Sequence, residues 1–120
     1  MKFVNLMDLL QVFANEYSLP GDNVLIVCET FVEEIKTLFN FINCETFFVS
    51  KTITNGIDFF IVDNNDLPFE ENSFDIVIDL TGNNFLKFVK KDGTYLINVE
   101  IINGNNFYQL NGVTFTVLQG

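Results

Sequence analysis

The side chains of this chain that can do chemistry stand where apolar runs end. Glu29 and Thr30 follow the run Val24-Leu25-Ile26-Val27-Cys28. Ser50 follows Thr46-Phe47-Phe48-Val49. Asp63 closes a run over 57–62, with Leu67 shortly after it, and Asp79, Thr81 and Gly82 close a run that starts at Phe74. Carboxylates accept hydrogen bonds from amino and hydroxyl groups, and hydroxyls both accept and donate. Gathered at one edge of a sheet, such groups hold a polar small molecule, because ligands of open α/β sheets bind outside the carboxyl ends of the strands.

What is missing narrows the chemistry. The 120 residues contain no His, and all six basic residues are Lys. A His-based triad, a histidine metal site, an arginine finger and a bidentate arginine clamp on phosphate cannot be built from this chain alone. Cys28 and Cys44 each lie in an apolar run and read as core residues. Two cysteines without His make no ordinary zinc site, so no metal is assigned. The net charge of −10 argues against nucleic acid, which is bound through basic contacts, and against an anionic membrane surface. No apolar run approaches the roughly 18 residues of a membrane span, and residues 1–13 do not read as a signal peptide. The expected location is the cytoplasm.

The elements that must position these residues can be read from periodicity. The length fits one domain over 1–120, with a helix within 1–20 and a sheet core over 22–118. Phe3, Leu6, Met7, Leu10 and Phe13 recur at helical spacing and predict a helix over 3–17, ended by Pro20-Gly21-Asp22. The continuous apolar run over 24–28 predicts a strand buried on both faces. Thr30 and Glu33 have the spacing of a capping box, and Val32, Ile35, Leu38, Phe39 and Ile42 predict a helix over 31–42. Further strands are expected over 46–49, 57–62, 74–80 and 94–102, with 63–73 as a loop. Phe85 to Val89 reads as a short helix closed by Lys90, Lys91 and a left-handed Gly93. Asn111-Gly112 between two strand-like pieces predicts a hairpin. Strands alternating with helices imply an α/β fold, its sheet mostly parallel with right-handed crossovers and an antiparallel edge at the hairpin.

This order of elements resembles the class I S-adenosylmethionine (SAM)-dependent methyltransferases. In Asp63-Asn64-Asn65-Asp66-Leu67-Pro68-Phe69-Glu70-Glu71-Asn72-Ser73-Phe74-Asp75-Ile76-Val77, an Asp precedes Leu-Pro-Phe, and Ser-Phe-Asp enters a strand, as in many family members. Lys90-Lys91-Asp92-Gly93-Thr94-Tyr95-Leu96 is similar to the family's turn into its fifth strand. Ile78 to Gly82 and Gly112 to Val117 look like pieces of the methanogen C-methyltransferases that act on a guanylylpyridinol precursor. The resemblance implies a Rossmann-like, methyltransferase-like fold with SAM as cofactor. It places Glu29 and Thr30 at the first strand end and Ser50 where an acid would hold the ribose hydroxyls. It puts Asp63 on the adenine amino group, with Leu67 and Phe69 as apolar walls. It puts Asp79, Thr81 and Gly82 at the fourth strand end, where Asp79 or Thr81 would face the reacting methyl group.

Departures from the family pattern are just as plain. The loop Cys28-Glu29-Thr30-Phe31 has no glycine, and Phe31 is expected to project near the cofactor position. Ser50 is a poor substitute for an acid. The crossovers before Ile57 and before Phe74 are short, and nothing is left over for a substrate cap. The leading expectation is therefore a degenerate, non-catalytic module that binds or interacts, with a bare sheet flank covered by a homodimer or a protein partner. The alternative is a SAM-binding methyltransferase acting on a small molecule, its cap supplied by a second chain. A receiver-type phosphoacceptor fits less well: Glu29, Asp63 and Thr81 match loosely, but the fifth strand ends in Asn98-Val99-Glu100 without the lysine such a site needs.

Overall fold

The computed structural model describes residues 1–52, 55–61 and 67–120. In chain order they form β1 (Lys2–Phe3), α1 (Leu6–Tyr17), β2 (Asn23–Val27), α2 (Val32–Phe41), β3 (Glu45–Ser50), β4 (Phe59–Phe60) and β5 (Phe74–Asp79). A single 3₁₀ turn, Leu86–Phe88, leads into β6 (Val89–Ile97), β7 (Asn106–Leu110) and β8 (Val113–Gln119). All eight strands join one sheet in the order β1-β7-β8-β6-β5-β2-β3-β4. From β6 to β4 every pairing is parallel, β8 runs antiparallel to both β6 and β7, and β1 lies parallel to β7. The α/β fold with a mostly parallel sheet and an antiparallel C-terminal hairpin is therefore present. The crossovers from β3 to β4 and from β4 to β5 hold no helix among the described residues.

Local chemistry explains where elements begin. Helix α1 starts at Leu6 rather than residue 3 because Asn5 caps it, its Oδ1 accepting from the Met7 N–H at 2.7 Å and the Asp8 N–H at 3.3 Å. Lys2 and Phe3 are extended instead and pair with Gln109 and Leu110. Helix α2 starts within a residue of expectation, but the capping box does not form. Its cap is Phe31, in the left-handed conformation at φ 63°, and no side chain bonds to the first turn. The hairpin turn matches the sequence reading: Asn111 and Gly112 have φ 50° and 85°, the two positive values of a type I′ turn.

Lys90, Lys91 and Gly93 do not close a helix. They lie within β6, which starts at Val89 and ends five residues earlier than the sequence suggests. Gly93 has no left-handed backbone, and a different constraint acts there. A Cβ would stand 2.7 Å from the Asp75 carbonyl oxygen and 2.7 Å from Val89 Cγ1, beside the register shift between β5 and β6. Only a glycine lets the two strands approach this closely.

Side chains alternate along each strand, so the sheet has two apolar faces. Val24, Ile26, Ile76, Ile78 and Leu96 face α1 and α2, where Leu9, Leu10, Phe13, Ile35 and Phe39 cover them. Leu25, Val27, Val77, Tyr95 and Ile97 face the other way. That second face was expected to be bare for want of a crossover helix. It is covered by aromatic rings instead. Phe85 and Phe88 are buried on it, and Phe69 packs edge-on against Phe47, Phe59 and Phe74 with centroids 5.8, 5.1 and 4.9 Å away. Cys28 and Cys44 are buried, free thiols, as the core reading required. No helix among the described residues is long and apolar enough to cross a membrane.

Candidate functional site

Strand β2 lies between β3 and β5, and the connection through α2 leads to β3 alone. The chain thus diverges at the carboxyl end of β2, where open α/β sheets form their ligand crevice. A cleft of about 550 Å³ opens at that place. Its polar walls come from three strand ends: Glu29 and Thr30 after β2, Lys51 after β3, and Thr81 and Asn83 after β5. Cys28, Leu80, Leu6 from the start of α1, and Leu110 and Phe115 from the hairpin supply the apolar surface. Volume and mixed lining fit a small organic ligand.

The β5 side is built on a buried carboxylate. Asp79 is fully buried. Its Oδ1 accepts from the Thr81 N–H at 3.0 Å and the Thr81 hydroxyl at 2.8 Å, and its Oδ2 accepts from the Tyr95 hydroxyl at 2.9 Å. Tyr95 in turn accepts from the Phe85 N–H at 3.1 Å, and Asn83 donates to the Thr81 hydroxyl at 2.8 Å. Burial, reinforced by the Asp79 charge, pushes the Tyr95 phenol well above its ordinary range, so it stays protonated and keeps donating. Asp79 therefore shapes the loop that presents Thr81 and Asn83, and each of its carboxylate oxygens already accepts from the protein. Gly82, at φ 74°, makes the turn between them, with its missing Cβ 3.2 Å from Asn98 Oδ1.

The β2 side keeps the shape of a glycine loop without the glycine. Phe31 adopts a left-handed backbone, which costs a residue with a Cβ about 1–2 kcal/mol. Its ring is half exposed and is not part of the cleft lining, so it does not project into the site as the sequence suggested. Glu29 and Thr30 precede it, both exposed and both at the cleft. Cys28 at the cleft floor is held neutral: burial, with Glu29 nearby, pushes its thiol up to about 12.

Of the residues singled out from sequence, the structure brings Glu29, Thr30 and Thr81 to one cleft. Asp79 and Gly82 support it from below and behind. Ser50 is fully buried at the end of β3, and its Oγ accepts from the Thr52 N–H at 3.0 Å. Leu67 packs with the aromatic cluster on the second face of the sheet and is not a cleft residue. Asp63 lies outside the described residues. Sequence reasoning missed Lys51 and Asn83 as cleft residues, although both sit in the strand-end breaks it had marked. Leu6, Leu110 and Phe115 carried no signal, because only the pairing order of the sheet brings α1 and the hairpin to this edge.

No protein-family profile and no curated protein matches the chain. Solved structures do. A protein of Methanococcus maripaludis assigned as a SAM-dependent methyltransferase superposes with a TM-score of 0.59 at 9% identity, covering 77% of this chain and 54% of its own length. The 1,6-didemethyltoxoflavin-N1-methyltransferase of Burkholderia thailandensis, solved with 1,6-didemethyltoxoflavin and S-adenosylhomocysteine, superposes with a TM-score of 0.58 at 13% identity. That match covers 94% of this chain and 60% of the enzyme. The chain thus spans a little over half the length of these structures. Likeness at such identities speaks for the fold alone, and the fold is that of the class I SAM-dependent methyltransferases.

Proposed function

We propose that residues 1–120 act as a methyltransferase-like binding module, which holds an adenosyl compound in the cleft without transferring a methyl group. The observation that carries this reading is the state of the strand ends. A ligand-sized cleft is open between β2, β3 and β5, with Glu29, Thr30, Thr81 and Asn83 available to a polar ligand. Asp79, the acid nearest the place of reaction, is buried and bonded to Thr81 and Tyr95 instead. Asp63 keeps its expected role as acceptor for an adenine amino group. Self-association is not part of the proposal, since aromatic rings occupy the face a second copy was expected to cover.

Calorimetric titration with S-adenosylhomocysteine tests the module. Binding tighter than about 100 µM, or roughly −5.5 kcal/mol, is expected. Weakening by about tenfold or more is expected in Glu29→Gln and Asp63→Ala, each of which removes one hydrogen-bonded charge. Absence of heat and of any thermal shift at millimolar ligand removes the adenosyl reading. A second reading, methyl transfer to a small molecule, draws on the Burkholderia enzyme, which was solved with a small molecule beside S-adenosylhomocysteine. Slow demethylation of SAM by this chain, in the presence of a ring-nitrogen acceptor, would favour that reading over the module.

A further inference from the structure

We propose that the cleft reads an anion on its ligand through Lys51, and that this anion is a phosphate on a secondary ribose hydroxyl of an adenosine compound. This rests on the adenosyl reading above and adds the ligand's charge. Strands β2 and β3 run side by side in parallel register as far as Val27 and Val49, so Glu29 and Lys51 leave neighbouring strand ends at the same edge. Both line the cleft, and no ion pair joins them among the described residues. Each therefore keeps its charge for a ligand.

In nucleotide-binding α/β sheets, the residue about twenty positions beyond the first strand's loop decides what the ribose carries. An acid there accepts from a ribose hydroxyl, whereas a basic side chain accommodates a phosphate on it. This chain has no acid at that strand end. Ser50 is fully buried, with its Oγ already accepting from the Thr52 N–H. The next residue, Lys51, is exposed and reaches the cleft. An ammonium group has three donors and no acceptor, so it cannot accept a hydrogen bond from a ribose hydroxyl as a carboxylate does, but it matches a phosphate. The net charge of −10 repels anions in general, so a preference for a phosphate here has to come from Lys51 itself.

The test is calorimetry at low salt with adenosine, adenosine 2′-monophosphate and adenosine 3′-monophosphate, on the natural chain and on Lys51→Gln and Lys51→Glu. At least one monophosphate is expected to bind about tenfold or more tighter than adenosine, as a charge-assisted contact requires. That advantage of monophosphate over adenosine should vanish in Lys51→Gln, reverse in Lys51→Glu and shrink as salt is raised. Lys51 is exposed, and matching urea melts would show that the variants fold. Equal affinity for adenosine and both monophosphates overturns the inference and leaves the adenosyl reading standing. An advantage that survives in Lys51→Gln overturns it as well. Failure of adenosine, the monophosphates and S-adenosylhomocysteine alike overturns both.

Discussion

The two faces of the sheet are made dry in different ways. On one, two helices lay continuous apolar stripes over the strands, and Phe13, Ile35 and Phe39 are completely buried there. On the other, rings from strands and connections do the work, and Phe47, Phe59, Leu67 and Phe69 remain only partly buried. A helix brings several core residues at once and satisfies its own backbone. An aromatic ring buries much area from one position and leaves its connection free to vary. A fold can therefore shed crossover helices and keep its sheet, provided that large rings replace them. Phe47, Phe59, Phe69, Phe74, Phe85 and Phe88 are the means of that replacement.

Substitutions on the two faces should separate these modes. Phe39→Ala, in the helical core, is expected to cost about 3–5 kcal/mol in urea unfolding. Phe69→Ala, on the ring-covered face, should cost less, about 1–3 kcal/mol, because its ring is partly exposed and its gain lies in edge-on contacts. Equal losses would mean that the ring-covered face is packed as tightly as the helical one. Next comes Tyr95→Phe, which leaves Asp79 Oδ2 and the Phe85 N–H without their partner and should cost about 1–3 kcal/mol. It should also loosen the Thr81–Asn83 wall, seen as faster amide exchange there. An unchanged melt would show that Asp79 does not need the phenol.

The smallest effect is one of slope. The Cys28 thiol is raised from its ordinary 9.0 to about 12 in the folded chain. The native state thus binds the proton more tightly than the unfolded state, and the stabilisation is fully present below pH 9 and lost as pH rises through about 12. Stability should fall across that window, together with the raised phenols of Tyr95 and Tyr108. Cys28→Ala should flatten part of the slope while lowering stability at neutral pH. An unchanged slope would place the Cys28 thiol in water.

Much of this architecture could be read in advance, and the reasons for the failures are specific. Continuous runs marked β2, β3 and β5 because a strand buried on both faces has no polar positions to disguise it. Asn111-Gly112 marked the hairpin because its turn needs two positive φ values. Lys90 and Lys91 misled because basic residues suit both a helix end and an exposed strand start, and periodicity over so few residues cannot choose. Phe3 was counted on a helical face, since nothing local reveals a partner strand more than a hundred residues away. At the site, strand ends were legible, while side-chain direction was not. Asp79 and Ser50 look like ligand groups in one dimension, yet both point into the protein. Lys51, beside Ser50, points out.

The pairing of β1 with β7 sets a clock. Lys2 and Phe3 are made more than a hundred residues before their partners Gln109 and Leu110. Until then the first residues have no edge to join, and closing so long a loop is entropically costly for a strand of two residues. This strand is therefore expected to dock after the rest of the sheet has formed, and to be the first to leave when the protein begins to open.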